Sequence, residues 1–83
     1  MEDFLGAGAI IDNFRDVTLS DVAQASLLVF CAARSSLLDA VREGSHAKYL
    51  IPSASEDVEF CSQLDRYAVV PYLKGDRVVA LKP

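Results

Sequence analysis

The sequence predicts an α+β fold, mostly helical, with three to five helices followed by a C-terminal β-hairpin. Three observations predict it. Apolar residues recur at three- and four-residue steps through residues 2–66. Two β-rich runs, 68–73 and 77–81, flank a Lys74-Gly75-Asp76 turn. A length of 83 residues allows one domain at most, here 1–83, with a helical region over residues 2–66 and a hairpin over residues 68–81.

The first helix is expected over residues 2–15. Glu2 and Asp3 complement the positive end of its dipole, and Phe4, Leu5, Gly8, Ile11 and Phe14 or Arg15 follow the helical period. Residues 16–20 connect to a second helix over about 19–34, with Thr18 and Asp21 in capping-box positions. This second helix is apolar almost all round, so it is expected to form the buried centre. Ser35-Ser36 marks a seam, with Ser36 and Asp39 spaced as another capping box, and Leu37, Leu38 and Val41 continue the helix towards a C′ glycine at Gly44. Ser45 is placed to cap a short turn, 46–51, which Pro52 ends. Ser53 and Glu56 then open a last helix, about 54–66. In the hairpin, Pro71 cannot donate to a ladder and belongs at an edge or a bulge.

The chain is 52% hydrophobic. A chain this short buries only roughly two-thirds of its unfolded surface, so apolar surface remains outside. That points to a homo-oligomer, a partner chain, or a piece of a larger fold. The net charge of −4 comes from 12 acidic and 8 scattered basic residues. With no basic stripe, nucleic acid and anionic membranes are disfavoured as partners. Glu2 and Asp3 stand where a signal peptide would be positive. The longest apolar run, 27–33, is far short of the about 20 residues a bilayer needs. Cys31 and Cys61 have no metal-ligand spacing, and their apolar surroundings predict two buried free thiols in a reducing, cytoplasmic setting.

The stretch Gly6-Ala7-Gly8-Ala9 invites a phosphate-loop reading. A dinucleotide fingerprint needs a third Gly or Ala where Ile11 stands, and a strand before it. A Walker loop needs Lys and Ser or Thr. The better-supported role is close helix packing through small residues, with Gly6, Gly8, Ile11, Val29 and Phe30 at the packing face or interface. His46 is the single histidine, a candidate general acid or phosphate contact, or a surface residue at a helix start. Glu2 with Asp3, Asp12 or Asp57 offers carboxylates of the kind that hold Mg²⁺, although acidic residues in first turns are usually solvated helix starts. Phe4, Phe14, Phe30 and Phe60 follow helical faces and are expected in the core, with Tyr49, Tyr67 and Tyr72 at a rim.

The stretches EDFLGAGAIID, LSDVAQAS, LLDAVREGSHAKYLI and EDVEFCSQLDRYAVVPYL, in that order, resemble the C-terminal region of the 2-phosphosulfolactate phosphatases. The resemblance runs along nearly all 83 residues. Glu2, Asp3, Gly8 and Ala9 match the family's E-D-x-L-C-A-G-A-I stretch, while Gly6 stands where the family has Cys. Around Ser45-His46, Ala47 replaces the family's Gly. The resemblance implies Mg²⁺-dependent removal of phosphate from 2-phosphosulfolactate in longer chains, with the N-terminal majority of the family's motifs lying outside this sequence.

Two functional expectations follow. In the first, the chain is a non-catalytic, self-associating module that needs no cofactor by itself. In the second, it is a component of a Mg²⁺-dependent phosphatase acting on 2-phosphosulfolactate or a similar small phosphomonoester, paired with a separate, missing N-terminal partner chain or assembled across an oligomer, with Glu2 or Asp3 on Mg²⁺ and Asp3 and His46 as catalytic candidates. A family-independent binding protein, recruiting a partner strand at the hairpin edge, is a third.

Overall fold

The computed structural model describes residues 1–81. In chain order it contains α1 (Glu2–Ile11), α2 (Asp21–Ala33), a 3₁₀ turn (Arg34–Ser36), α3 (Leu37–Glu43), α4 (Ser45–Cys61), β1 (Val70–Lys74) and β2 (Arg77–Leu81). This is the mostly helical α+β class expected from the two periodicities.

The helix ends depart from the sequence expectation for local reasons. α1 stops at Ile11 rather than near 15, because Asn13 turns its side-chain amide onto the Ala9 carbonyl at 2.9 Å and Arg15 reaches back to the Asp12 carbonyl at 3.0 Å. These bonds satisfy carbonyls that a longer helix would have used. α2 is capped by Ser20, whose hydroxyl accepts the Ala23 N–H at 3.2 Å. The cap therefore lies two residues beyond Thr18. Ser36 has φ −150° and ψ 55° and caps nothing with its side chain, so the second expected capping box does not form. Gly44 is not a left-handed C′ residue. It is extended, at φ −69° and ψ 146°, and both ends α3 and precedes α4. α4 runs through Pro52 and breaks at Ala54 (φ −143°, ψ 38°), then ends at Cys61, where the Ser62 hydroxyl donates to the Val58 carbonyl at 2.7 Å.

Packing centres on two helix pairs, α1 with α2 and α3 with α4. Gly8 makes the first possible. A Cβ on it would lie 2.3 Å from the Ser26 carbonyl oxygen and 2.6 Å from Phe30 Cβ. The buried Ser26 hydroxyl fastens the same contact by donating to the Phe4 carbonyl at 2.6 Å. Leu5, Phe30, Ala47 and Val58 are the buried apolar side chains. Arg34 pairs with Asp12, and Arg42 pairs with Glu59 at 2.8 Å, across the respective helix contacts.

The core is smaller than the sequence predicts. α2 buries only Ser26 and Phe30 and leaves Val22 and Leu28 exposed, so it is not a buried centre. Phe14 and Phe60 are exposed, and so are both thiols, Cys31 and Cys61. The cause is the shortage of partners: among the described residues, α1 is the one α-helix that packs extensively on α2. Total exposed surface is 6619 Å², whereas a compact monomer of 9.0 kDa exposes about 4,900 Å². The radius of gyration is 14.6 Å, against about 12 Å for a compact chain of this length. The helical stretch Asp21–Glu43 has a mean hydropathy of 1.2 and, by length and composition alone, could cross a membrane. Its backbone leaves the helix at Ser36.

The hairpin pairs Val70 with Leu81, Tyr72 with Val79 and Lys74 with Arg77, closed by the two-residue turn Gly75-Asp76 with Gly75 at φ +65°. Alternation places Val70, Tyr72, Val79 and Leu81 on one face and Pro71, Leu73, Val78 and Ala80 on the other. Both faces are apolar, and all these residues are exposed except the half-buried Val79. No helix contact of the hairpin approaches the two helix–helix contacts in extent.

Candidate functional site

Two helix starts converge and bring a carboxylate and an imidazole together. Glu2 lies in the first turn of α1 and His46 in the first turn of α4. Their side chains meet, His46 Nδ1 to Glu2 Oε1, at 2.9 Å. A proton on Nδ1 makes this a donated hydrogen bond to the carboxylate, and Nε2 is then the ring nitrogen left to face a bound group. Glu2 Oε2 lies 3.3 Å from the Met1 amino group and, among the described residues, has no other partner.

This surrounding holds Glu2 ionised. Its pKa falls from the ordinary 4.5 to about 2, first because His46 bonds the carboxylate, then because backbone N–H and the amino group do so. Partial desolvation opposes the shift.

Glu2 and His46 belong to the wall of a groove of about 340 Å³, otherwise built largely from apolar side chains such as Leu5, Phe30, Val41 and Val58. Asp57 and Cys61, one helical turn apart on α4, line the same groove. Asp3, adjacent to Glu2 in sequence, lines a different and shallower groove beside Phe4, Ser20 and Ser26. Neighbouring helix positions point about 100° apart, so the two carboxylates diverge. Among the described residues, no group of three His, Cys, Asp or Glu side chains is placed to hold a metal ion. Mg²⁺ favours near-octahedral oxygen sets with carboxylates on one site, and Glu2 with Asp3 does not build one here.

The small-residue stretch divides in the same way. Gly8 sits in the α1–α2 contact with Phe30, while Ile11 and Val29 are half-buried. Gly6 has nothing within 4 Å of a would-be Cβ and instead lines the groove. Sequence reasoning found Glu2 and His46 separately and missed their pairing, because 44 residues separate them and no local spacing reports it. The i, i+4 spacing of Asp57 and Cys61 is a signal that could have placed those two on one face. An apolar groove carrying an imidazole oriented by a carboxylate can direct a proton donor or acceptor towards a bound group. Its other charged lining residues, Asp57 and Asp65, are acidic, and among the described residues no Lys or Arg lines it to neutralise a phosphate.

Comparison with known proteins gives a consistent family. The family model described as 2-phosphosulpholactate phosphatase matches residues 1–76. A protein of Thermotoga petrophila described as "Probable 2-phosphosulfolactate phosphatase" is 38% identical over 74 residues, covering 88% of this chain and 33% of that protein. One of Pseudothermotoga lettingae with the same description is 37% identical over 84 residues, covering 99% of this chain and 37% of the relative. One of a Synechococcus species is 31% identical over 87 residues, covering 98% and 36%. The chain thus spans about a third of the length of the curated relatives it matches. No solved structure matches it.

Proposed function

The chain belongs to the 2-phosphosulpholactate phosphatase family, and from that membership we propose that it is a helical module which does no chemistry alone and self-associates through its bare apolar surface. One observation carries the reading: the surface surplus. The 6619 Å² exposed exceeds the compact expectation by roughly 1,700 Å², about twice the ~800 Å² that one partner contributes to a standard interface. A second copy is the proposed cover. The scattered basic residues and net charge of −4 give nucleic acid and anionic membranes no footing, so the partner in this reading is protein. The exposed, unpaired Cys31 and Cys61 suit a reducing, cytoplasmic location. No cofactor is assigned to the chain by itself.

The Glu2–His46 pair favours a second reading, in which the chain is one component of a Mg²⁺-dependent phosphatase acting on 2-phosphosulfolactate or a similar small phosphomonoester. Mg²⁺ would supply charge neutralisation at the phosphate. The divergence of Glu2 and Asp3 means that further oxygen ligands must come from outside the described residues, so no step is assigned to the ion. Within this reading His46, oriented by Glu2, contacts a phosphate oxygen or the leaving oxygen.

Sedimentation at micromolar concentration, together with an assay for Mg²⁺-dependent phosphate release, tests the pair of readings. The module reading expects a dimer or larger species and no release. A strict monomer with measurable phosphatase activity overturns it. Loss of that activity in Glu2→Gln and His46→Ala, with the fold retained, would then assign the second reading. Activity surviving both substitutions would remove those residues from the chemistry.

A further inference from the structure

We propose that the self-association runs through the free edge of β2, which pairs antiparallel with β2 of a second copy about a two-fold axis at Val79. The proposal rests on the self-association reading above and names its surface. It starts from the hydrogen-bond parity of the hairpin. In a two-residue hairpin the pair flanking the turn is a hydrogen-bonded pair, and bonded and non-bonded pairs then alternate. Lys74–Arg77, Tyr72–Val79 and Val70–Leu81 are therefore the bonded pairs, and Leu73–Val78 and Pro71–Ala80 are not. The N–H and C=O groups of Val78 and Ala80 consequently point away from β1, along the outer edge of β2.

The two outer edges are unequal. On β1 the outward positions are Pro71 and Leu73, and Pro71 has no N–H, so that edge cannot complete a ladder. On β2 the outward positions Val78 and Ala80 both keep donor and acceptor. The β2 strand has no proline and no bulge, and its one charged residue, Arg77, has its backbone groups turned inward. Natural edges are usually guarded by such features. Leaving this one open on a strand with both faces apolar fits an edge that is used.

The register follows from pairing both outward residues of β2, Val78 and Ala80, within the strand. An isologous two-fold contact pairs residue i with residue j of the mate and j with i, so only the residue on the axis faces its own copy. With Val79 opposite Val79 of the second copy, Val78 faces Ala80 and Arg77 faces Leu81. Val78 and Ala80 then form two hydrogen-bonded pairs, four backbone bonds in all, around a central non-bonded Val79 pair. No like charges stand opposite one another in this register. A shift by one residue would turn the outward groups of one strand onto positions of opposite parity and lose the bonds. The result is a four-stranded sheet, in the order β1-β2-β2-β1, with a continuous row of Tyr72 and Val79 side chains across the middle of one face. The roughly 1,700 Å² surface surplus is enough for such an interface and a second contact, given the ~800 Å² per partner of a standard dimer.

Two variants of the 83-residue chain test it. Ala80→Pro removes an outward N–H without touching a bonded pair of the hairpin, so sedimentation at micromolar concentration should change from dimer to monomer while the far-UV circular dichroism is kept. In a background with Cys31→Ser and Cys61→Ser, Val79→Cys should oxidise to a covalent dimer, because cross-strand non-bonded neighbours lie close enough for a disulfide, while Leu73→Cys should not. A dimer that survives Ala80→Pro and does not cross-link at position 79 overturns the edge proposal and leaves self-association standing. A parent chain that is monomeric at every concentration overturns the self-association reading, and this proposal with it.

Discussion

Replacing Gly8 by alanine should destabilise the protein, although alanine is the better helix former. The new methyl carbon would stand 2.3 Å from the Ser26 carbonyl oxygen and 2.6 Å from Phe30 Cβ. Contacts under 3.0 Å require something to move, and the obstacles are backbone and a Cβ, not the tip of a flexible side chain. α1 and α2 must separate by about 0.7 Å at Ser26, the difference between 3.0 and 2.3 Å. That separation stretches the 2.6 Å bond from Ser26 to the Phe4 carbonyl at a hydroxyl whose residue is only 2% exposed. Overpacking costs about 1–3 kcal/mol, and weakening a buried hydrogen bond adds about 1 kcal/mol. The gain in helix propensity offsets about 1 kcal/mol. The expected net loss is about 1–3 kcal/mol, a large share of the total for a domain of this size, and each kcal/mol lowers Tm by about 4–8 °C. Gly6→Ala is the control on the same helix. Its Cβ would meet nothing within 4 Å, so only the propensity gain applies, about 0.5–1 kcal/mol in favour of folding. Urea unfolding followed by far-UV circular dichroism reads both variants. The reasoning is refuted if the two substitutions shift the midpoint in the same direction.

Three further outcomes are expected. The Glu2 carboxylate should titrate by NMR near 2 in the parent chain and move towards 4.5 in His46→Ala. Because the folded pKa is the depressed one, the contribution of the Glu2 carboxylate to stability is present above about 4.5 and is lost as pH falls towards about 2, and a Glu2 midpoint unchanged by the His46 substitution contradicts this. Ser26→Ala should cost about 1–2 kcal/mol by leaving the Phe4 carbonyl without its donor, and a urea midpoint equal to the parent's would show that the bond does not hold α1 to α2. A thiol reagent should label both Cys31 and Cys61 in the native protein without denaturant, a result that protection of either thiol in monomeric protein would contradict.

The helices, the hairpin and its turn were legible because each depends on residues within a few positions of one another. The 3.6-residue and two-residue apolar periods identify the elements, and Lys74-Gly75-Asp76 identifies the turn. Helix ends were less legible. Thr18, Ser20 and Ser36 all fit a cap by type, and only Ser20 accepts a backbone N–H there. The choice depends on where α2 is held against α1 and on the φ and ψ each serine can reach, which spacing alone does not encode. The buried residues were overestimated for a related reason. An apolar side chain records a tendency to be covered, and Phe14, Phe60, Val22 and Leu28 lack a neighbouring layer to cover them.

What the sequence by itself determined was local: an N-terminal helical region, a C-terminal hairpin, a small-residue stretch made for close approach, and more apolar surface than 83 residues can bury. The tertiary structure alone decided which members of each group matter. Gly6 and Gly8 are chemically identical and two residues apart, yet they point about 200° apart around the helix, so one meets Ser26 and Phe30 while the other lines an open groove. Glu2 and Asp3 part by the same geometry, and Glu2 is singled out by an imidazole 44 residues away. A chain pattern carries the period of a helix, but the direction of its neighbours enters only when the helices pack.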